Sequence, residues 1–519
     1  MDLLAPSTRS KELLVLMLCL LIGFAVRFYT FDQKSLWMDE VYTYEDSRDG
    51  FKAQLRFYQE DPAFLHPPLF FLITHLFYPF EKPEQDLRII PLLFGTLSIP
   101  MIFFLAKELS QSIALPCAFS LTFMLYHISL SQDGRMYAFL MFFGMASFLT
   151  LIKYQKTGHR IYLFLTAIFF TVLFLTSYSS ILFIGISQIF WLYNPHRNTK
   201  RRQLSSFFLL NSITLLFILP WLVFIGLHYH GKPLMSPIEM DSPPSFLYML
   251  YGVFHDWTGS PPFIILSVLL LTFFPFYAKV RRKAVILLSM FIIPIVGLYL
   301  FCKCLKVPHF VASRYFINFL PLFLIAIYSS LDDIEIKFTR VKKWFRPSLL
   351  FALLFAVSNV MVLPVYYRSE KMDFRGLATY LKNHLQRGDK ILVGTAALMP
   401  GILYYFGALP PLRHHRAFPI MESGQIVGYE IPFAYQNQRF SLIYSERCCD
   451  QWIREGGRLW MVVFKWRAQG IIGKTPAVLK GYFDGSFLNY DRFPADASMY
   501  LFLWSPSSPE EKGIDLPIE

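Results

Sequence analysis

Two adjacent acids, Asp39 and Glu40, lie in the stretch "SLWMDEVYTY" (35–44), between Trp37, Met38, Val41 and Tyr42, about one helical turn past the first apolar run. A carboxylate there can take a proton from an attacking hydroxyl. A pair can also ligate a hard divalent cation that neutralises a leaving phosphate. The same two acids equally suit the start of a helix, where negative charge meets the positive end of the dipole. A second set of residues is cationic. "SQDGRMY" (131–137) carries Asp133, Arg135 and Tyr137, and "CKCLKVPHFVASRYF" (302–316) carries Lys306, His309, Arg314 and Tyr315. An arginine fork binds two phosphate oxygens at once. His66 stands before Pro67-Pro68, and Arg88 opens the next apolar run. Carboxylates and cations in this combination suit transfer of a group from a lipid phosphate to an acceptor. Arg27 and Arg160, at the ends of apolar runs, read instead as interfacial anchors.

The elements that must hold these residues are membrane helices. Apolar residues make up 55% of the chain, aromatics 18% and charged residues only 16%, against about 25% charged in a soluble domain. Eleven apolar runs are long enough to cross a hydrocarbon core of about 30 Å: 12–30, 89–107, 112–130, 136–152, 161–176, 178–193, 205–228, 261–278, 284–301, 315–331 and 347–365. The first has no small-residue cleavage site after it and reads as a retained span. Loops 153–160, 194–202, 279–283 and 337–346 are basic, and the turn near Lys107 falls on the same side. That places the N-terminus with Arg9 and Lys11 in the cytoplasm. Loops 31–88, 131–135, 229–260 and 302–314 then lie outside, the first with eleven acids against six bases. The run from Leu69 is apolar but too short to span, which fits an interfacial helix.

With eleven spans, residues 366–519 lie outside as well. "FRGLATYLKNHLQRGDKILVG" (374–394) reads as an amphipathic helix, a turn at Gly388-Asp389 and a buried strand. "RLWMVVFKW" (458–466) and "MYLFLW" (499–504) read as further strands. The expected fold is therefore a multi-pass α-helical membrane protein, residues 1–365 with the external loop 31–88, followed by an extracytoplasmic α/β domain over 366–519. The net charge of +13 sits in the short loops, so it sets orientation and does not point to nucleic acid. Cys19 and Cys117 fall in apolar runs. Cys302, Cys304, Cys448 and Cys449 form two close pairs, and a bridge within either would be strained.

The order "LWMDEVYTY", "HPPLFFLITHLF", "RIIPLLFGTLSIP", "SQDGRMYAF", "SRYFINFLP" resembles the C-superfamily membrane glycosyltransferases that use polyprenyl-phosphate sugars. These include protein O-mannosyltransferases and lipid A aminoarabinose transferases. The resemblance covers roughly 12–330 and is greatest to the bacterial branch of dolichyl-phosphate-mannose-protein mannosyltransferase-like enzymes, glycosyltransferase family 39. It implies a large multi-pass fold of the plasma membrane, serving the cell envelope, whose first external loop bears the acidic motif. On this sequence that motif is Asp39 and Glu40, with Asp39 as base or acceptor-positioning group. It implies a donor-phosphate or structural role for Arg135, Tyr137, Arg314 and Tyr315, with His66, Arg88 and His309 as further substrate-binding candidates. The donor implied is a polyprenyl-phosphate sugar, the acceptor a protein, lipid or glycan, and a divalent metal ion on Asp39 and Glu40 is one option for a cofactor. The tryptophan-tryptophan-aspartate motif of oligosaccharyltransferases is absent, and the tail does not resemble the β-trefoil of eukaryotic O-mannosyltransferases.

Two other readings compete. A glycan polymerase or ligase would use a diphosphate-linked donor, against which the acidic pair in the first loop argues. A transporter or lipid-linked glycan flippase would carry mid-membrane ionisable sites and two-fold repeats. Here the ionisable residues gather at one face, and no repeat is visible.

Overall fold

The computed structural model describes residues 8–60, 66–193, 200–228, 245–304, 312–338, 346–409, 418–422, 425–445, 457–468, 477–486 and 497–505. Lys306, His309, Cys448 and Cys449 lie outside these residues. Helix α1 (Thr8–Phe28) leads into a first loop that folds as α2 (Met38–Arg48), α3 (Phe51–Glu60), α4 (Leu69–His75) and α5 (Pro83–Asp86). Then come α6 (Ile89–Leu109), α7 (Gln111–Phe123), α8 (Leu125–Ser131), α9 (Tyr137–Thr157), α10 (Arg160–Thr176) and α11 (Ser180–Tyr193). They are followed by α12 (Lys200–His228), α13 (Phe246–Thr258), α14 (Pro261–Tyr277), α15 (Arg281–Cys304), a 3-10 turn (Ser313–Phe319), α16 (Leu320–Phe338) and α17 (Pro347–Arg368).

Each of the eleven expected intervals falls on one or two of these helices. Among the described residues, six helices are long and apolar enough alone to cross a membrane, or eight if two bent pairs each count as one span. Among the described residues, six to eight of the expected crossings are thus long and apolar enough by themselves. Helices α10 and α11 have 17 and 14 residues, about 25 and 21 Å at 1.5 Å per residue, short of a core of about 30 Å. Helix α1 carries Lys11, Glu12 and Arg27. The expected interfacial helix is α4, whose Phe70 and Phe71 pack with Ile90 and Phe139.

Both bent pairs are held by side chains from other helices. Helix α7 stops at Met124, whose extended backbone starts α8 at an angle of 62°. A helix end leaves carbonyls without donors. Here Arg27 supplies them, its Nη2 donating to Leu121 O at 2.8 Å and its Nη1 to Thr122 O at 3.1 Å. On the other side of the break the Leu125 N–H donates to Asn359 Oδ1 at 2.9 Å. The second pair, α13 and α14, bends by 105° at Gly259, whose φ is +78°. A Cβ there would lie 2.9 Å from Asn359 Oδ1, so the left-handed turn and the close approach both favour glycine. Ser358, next to Asn359 on α17, donates to Ser260 Oγ at 3.1 Å.

The tail forms a seven-stranded sheet: β1 (Lys390–Val393), β2 (Phe418–Glu422), β3 (Gln425–Tyr435), β4 (Gln438–Ser445), β5 (Leu459–Phe464), β6 (Val478–Phe483) and β7 (Met499–Trp504). The order is β2-β3-β4-β1-β5-β7-β6, with β1 parallel to both neighbours and the outer pairs antiparallel. The expected helix is α18 (Phe374–His384), capped by Asp373, which accepts the Gly376 N–H at 2.7 Å. Helix α19 (Met399–Phe406) packs on α18. The expected turn falls at Gly388, φ +91°.

The chain divides into two compact units that are not contiguous in sequence. One comprises Met1–Phe31, Tyr58–Phe77 and Gln85–Pro364. The other comprises Asp32–Phe57, Tyr78–Glu84 and Val365–Glu519. Most of the first external loop, assigned from sequence to the membrane domain, thus clusters with the sheet.

Candidate active site

In the helical unit Arg314 and Tyr315 sit on the 3-10 turn before α16. The Arg314 guanidinium lies over the Tyr315 ring at 5.8 Å and the Tyr137 ring at 5.9 Å, distances at which a cation and a π face attract. Three of the four residues expected in a donor-phosphate or structural role, Tyr137, Arg314 and Tyr315, are therefore together. The turn is fixed from several sides. Ser313, next to Arg314, donates its hydroxyl to the Asp256 carboxylate of α13 and shares a hydrogen bond of 3.0 Å with Tyr126 OH of α8. Phe319 stacks edge-on to Phe183 of α11 at 5.4 Å. A Cβ on Gly144 of α9 would lie 2.7 Å from Asn318 Oδ1, so glycine lets the turn press against α9. His255 Nδ1 stands 3.8 Å from Asp256 Oδ1. Asp256 is only 1% exposed. Sequence reading missed it, treating 229–260 as a plain external loop. The available signal was an acid in the apolar segment "FLYMLYGVFHDWT" just before "GSPP".

Arg135 and Tyr137 bracket the junction of α8 and α9, and Arg27 organises that junction. Arg27 is 0% exposed, which corrects its reading as an interfacial anchor. Besides the two carbonyls at the α7 end, it donates to His127 Nδ1 at 2.8 Å, Gly23 O at 2.9 Å and Ser131 Oγ at 3.3 Å. The break in α7–α8 is what draws it inward, and a break of that kind is not visible in the α1 sequence. Gln132 in turn donates to the carbonyls of Arg27 and Tyr29 at 2.8 and 2.7 Å. Arg135 itself is buried, in a tight turn closed by its N–H on Asp133 O at 2.6 Å. Arg88, at the α6 start, is buried and donates to Phe31 O at 2.9 Å, a contact that ties the end of the first helix to α6. His66 is half-buried, its ring edge-on to Phe71 at 6.2 Å.

In the sheet unit, Asp39 and Glu40 occupy the first turn of α2. Glu40 is 0% exposed and accepts the Trp37 N–H at 3.3 Å, so it holds the first turn, where the helix-start reading put both acids. Asp39 is half-buried one position earlier. The stretch before them is stapled to the tail. Trp37 is buried in the core formed by Phe374, Leu377, Ile402 and Trp460. Lys34 donates to the carbonyls of Tyr366, at 2.6 Å, and Ser369. The Leu36 N–H donates to Tyr405 OH at 2.7 Å, and that hydroxyl donates to Glu84 Oε1 at 2.9 Å. Burial pushes the Tyr405 phenol above its usual range, and the Glu84 charge adds to the rise, so it stays a neutral donor. Arg375 pairs with the same Glu84 oxygen at 2.9 Å.

Among the described residues no group of three or more His, Cys, Asp or Glu is placed to hold a metal ion. Cys19, Cys117, Cys302 and Cys304 are free thiols.

Residues 65–224, under a third of the chain, match a family model described as dolichyl-phosphate-mannose-protein mannosyltransferase. No curated protein matches the chain in direct comparison. Among solved structures, ArnT from Cupriavidus metallidurans in the apo state is similar at 12% identity, over 96% of this chain and 98% of that one, with a TM-score of 0.54. The same ArnT bound to undecaprenyl phosphate aligns at 14% identity over 96% and 99%, with a TM-score of 0.48. An oligosaccharyltransferase from Archaeoglobus fulgidus, in complex with Zn and sulfate, aligns at 13% over 75% and 61%, with a TM-score of 0.47. The apo ArnT match establishes a shared fold over nearly the whole chain. The match to the dolichyl-phosphate-mannose-protein mannosyltransferase model lies across α4 to α12, within a chain whose overall architecture is ArnT-like.

Proposed function

We propose that this protein transfers one sugar from a polyprenyl-phosphate carrier to a hydroxyl acceptor on the extracytoplasmic face of the plasma membrane. The N-terminus is cytoplasmic and the sheet domain outside, as the alternation of basic loops supports. Arg314 binds the carrier phosphate from its seat between Tyr137 and Tyr315, and Arg135 supplies a second cation. Asp39 takes the proton of the acceptor hydroxyl as its oxygen bonds to the sugar's anomeric carbon. The bond from that carbon to the phosphate oxygen breaks, and its electron pair leaves on the carrier phosphate. A phosphate held by arginine needs no proton to depart, so a single base suffices. Attack opposite the leaving group inverts the anomeric centre. Glu40 acts as a positioning residue, holding the first turn of α2 and with it Asp39.

The observation that carries this reading is the Arg314 seat, between two tyrosine rings and next to a Ser313 held by buried Asp256, in a chain whose residues 65–224 match the mannosyltransferase family model. The test is incubation of purified protein with a panel of labelled polyprenyl-phosphate sugars and membrane acceptors. Transfer from a monophosphate donor, with inversion, is expected. Transfer only from diphosphate-linked donors, or translocation of intact lipid-linked sugar without cleavage, would overturn the proposal.

A further inference from the structure

A cavity of about 570 Å³ opens between α11 and α15, and none of the residues discussed above lines it. Its walls include Ile189, Phe190 and Ile293, with Ser289 part-way along and Arg281 and Arg282 at one end. No acid is among its lining residues. The volume falls within the range of about 300–1,000 Å³ typical of ligand sites. Ile189 and Ile293 are 51% and 55% exposed, so the groove is open along its length, while Met290 is buried beneath it. From Arg281 to Ile293 α15 rises about 18 Å at 1.5 Å per residue. That is close to one leaflet, half of a hydrocarbon core of about 30 Å. Cations at the headgroup end and apolar walls as deep as one leaflet match a lipid with a short tail and a phosphate. A polyprenyl chain is far longer than the groove.

We infer that this groove binds an anionic glycerophospholipid, one acyl tail lying between α11 and α15 and the headgroup phosphate on Arg281 and Arg282. Guanidinium groups suit the phosphate because each presents two donors in one plane. Basic residues at a membrane surface attract anionic headgroups in proportion to their number. The bound tail props α11 against α15, and α11 carries the Phe183 that packs on Phe319 of the 3-10 turn. Loss of the lipid is therefore expected to loosen the turn without touching it.

The test uses the full chain in neutral detergent, with phosphatidylglycerol and phosphatidylcholine of matched tails, read by native mass spectrometry and by thermal unfolding. Phosphatidylglycerol should be retained and should raise the melting temperature more than phosphatidylcholine. Arg281→Ala with Arg282→Ala should weaken its binding about tenfold or more. Both arginines are exposed, so this variant keeps the fold. Ser289→Trp fills the groove and leaves the arginines in place, and it should abolish retention as well. Equal binding of the two lipids, or wild-type binding of phosphatidylglycerol by either variant, overturns the assignment. So does displacement of phosphatidylglycerol by an equal amount of polyprenyl monophosphate.

Discussion

Replacing Arg27 by methionine should destabilise the protein and weaken donor use together. The variant keeps an apolar stem of similar reach and removes every donor of the guanidinium. Three acceptors then lose this partner: Leu121 O, Thr122 O and His127 Nδ1. Gly23 O remains within α1, and Ser131 Oγ keeps its own bond to His127 O at 2.6 Å. A buried acceptor left without a donor costs about 1–3 kcal/mol, so three cost roughly 3–9 kcal/mol. Against this, the guanidinium is a buried cation bonded to neutral carbonyls, a hydroxyl and an imidazole. Removing the charge returns several kcal/mol of desolvation. The net expectation is a loss of about 2–4 kcal/mol. Arg27→Lys keeps the charge but has three donors on one point, so it cannot reach both carbonyls and the imidazole. It should fall between wild type and methionine. Thermal unfolding in detergent reads the stability. The apparent donor KM reads the effect on the 131–137 turn, which Gln132 ties to the Arg27 and Tyr29 carbonyls. A methionine variant with unchanged melting and unchanged donor KM would refute the argument, and the anchor reading would return.

Asp39→Asn should lower the rate by about 10²–10⁴ with membrane insertion and donor binding intact; Glu40→Gln should cost less, and the reverse ranking would exchange the roles. Arg135→Lys and Arg314→Lys should each raise the apparent donor KM while leaving acceptor KM unchanged, since lysine keeps charge but loses the two-point fork; donor use unaffected by Lys or Ala would make both structural. Trp37→Ala should destabilise the sheet unit by about 3–5 kcal/mol, seen as earlier unfolding or faster proteolysis of the tail, and an unchanged pattern would deny Trp37 its place in that core. Asp373 has its carboxyl raised, first by burial and then by Asp484, against the lowering bond from Gly376. The folded state therefore holds its proton more tightly than the unfolded one, and this group's contribution to stability falls as pH rises from the ordinary carboxylate value to the raised one. Asp373→Asn should remove that part of the pH dependence in thermal unfolding, and an unchanged slope would count against it.

The helices were legible because apolar runs are a local signal. Each expected interval coincides with a helix, down to the apolar stretch that became α4. The two breaks were less so. Gly259-Ser260 before two prolines marks the second, but Met124 marks nothing, and its break persists because Arg27 and Asn359 satisfy the freed groups from distant positions. In the tail, β1, β5 and β7 were found from their apolar runs. The β3–β4 hairpin was missed although Gln436 and Asn437 both adopt positive φ in a two-residue turn between alternating strands. At the site, type and spacing found Arg314 with Tyr137 and Tyr315, since aromatic and cationic residues at span ends stand out. Asp256 and Ser313 did not, because their pairing joins residues 57 positions apart through a fold that hydropathy cannot order. The helix-start reading of Asp39 and Glu40 was among the alternatives, and both do lie in the first turn of α2; spacing alone could not choose it over chemistry.

The stapling of the acidic segment to the tail also sets when this protein can become active during its own synthesis. Lys34, Ser35 and Leu36 find their partners 332, 335 and 369 residues further along the chain. At roughly 5–20 residues per second, the ribosome delivers those partners on the order of a minute after Asp39 emerges. Through that interval α2 has no sheet to rest on, and Trp37 has no core to enter. A nascent chain halted before β5 and β7 would hold its membrane helices in place yet leave its proposed base unpositioned. Quality control that samples unfinished chains would therefore meet an inert protein, with activity arriving only as the last strands close.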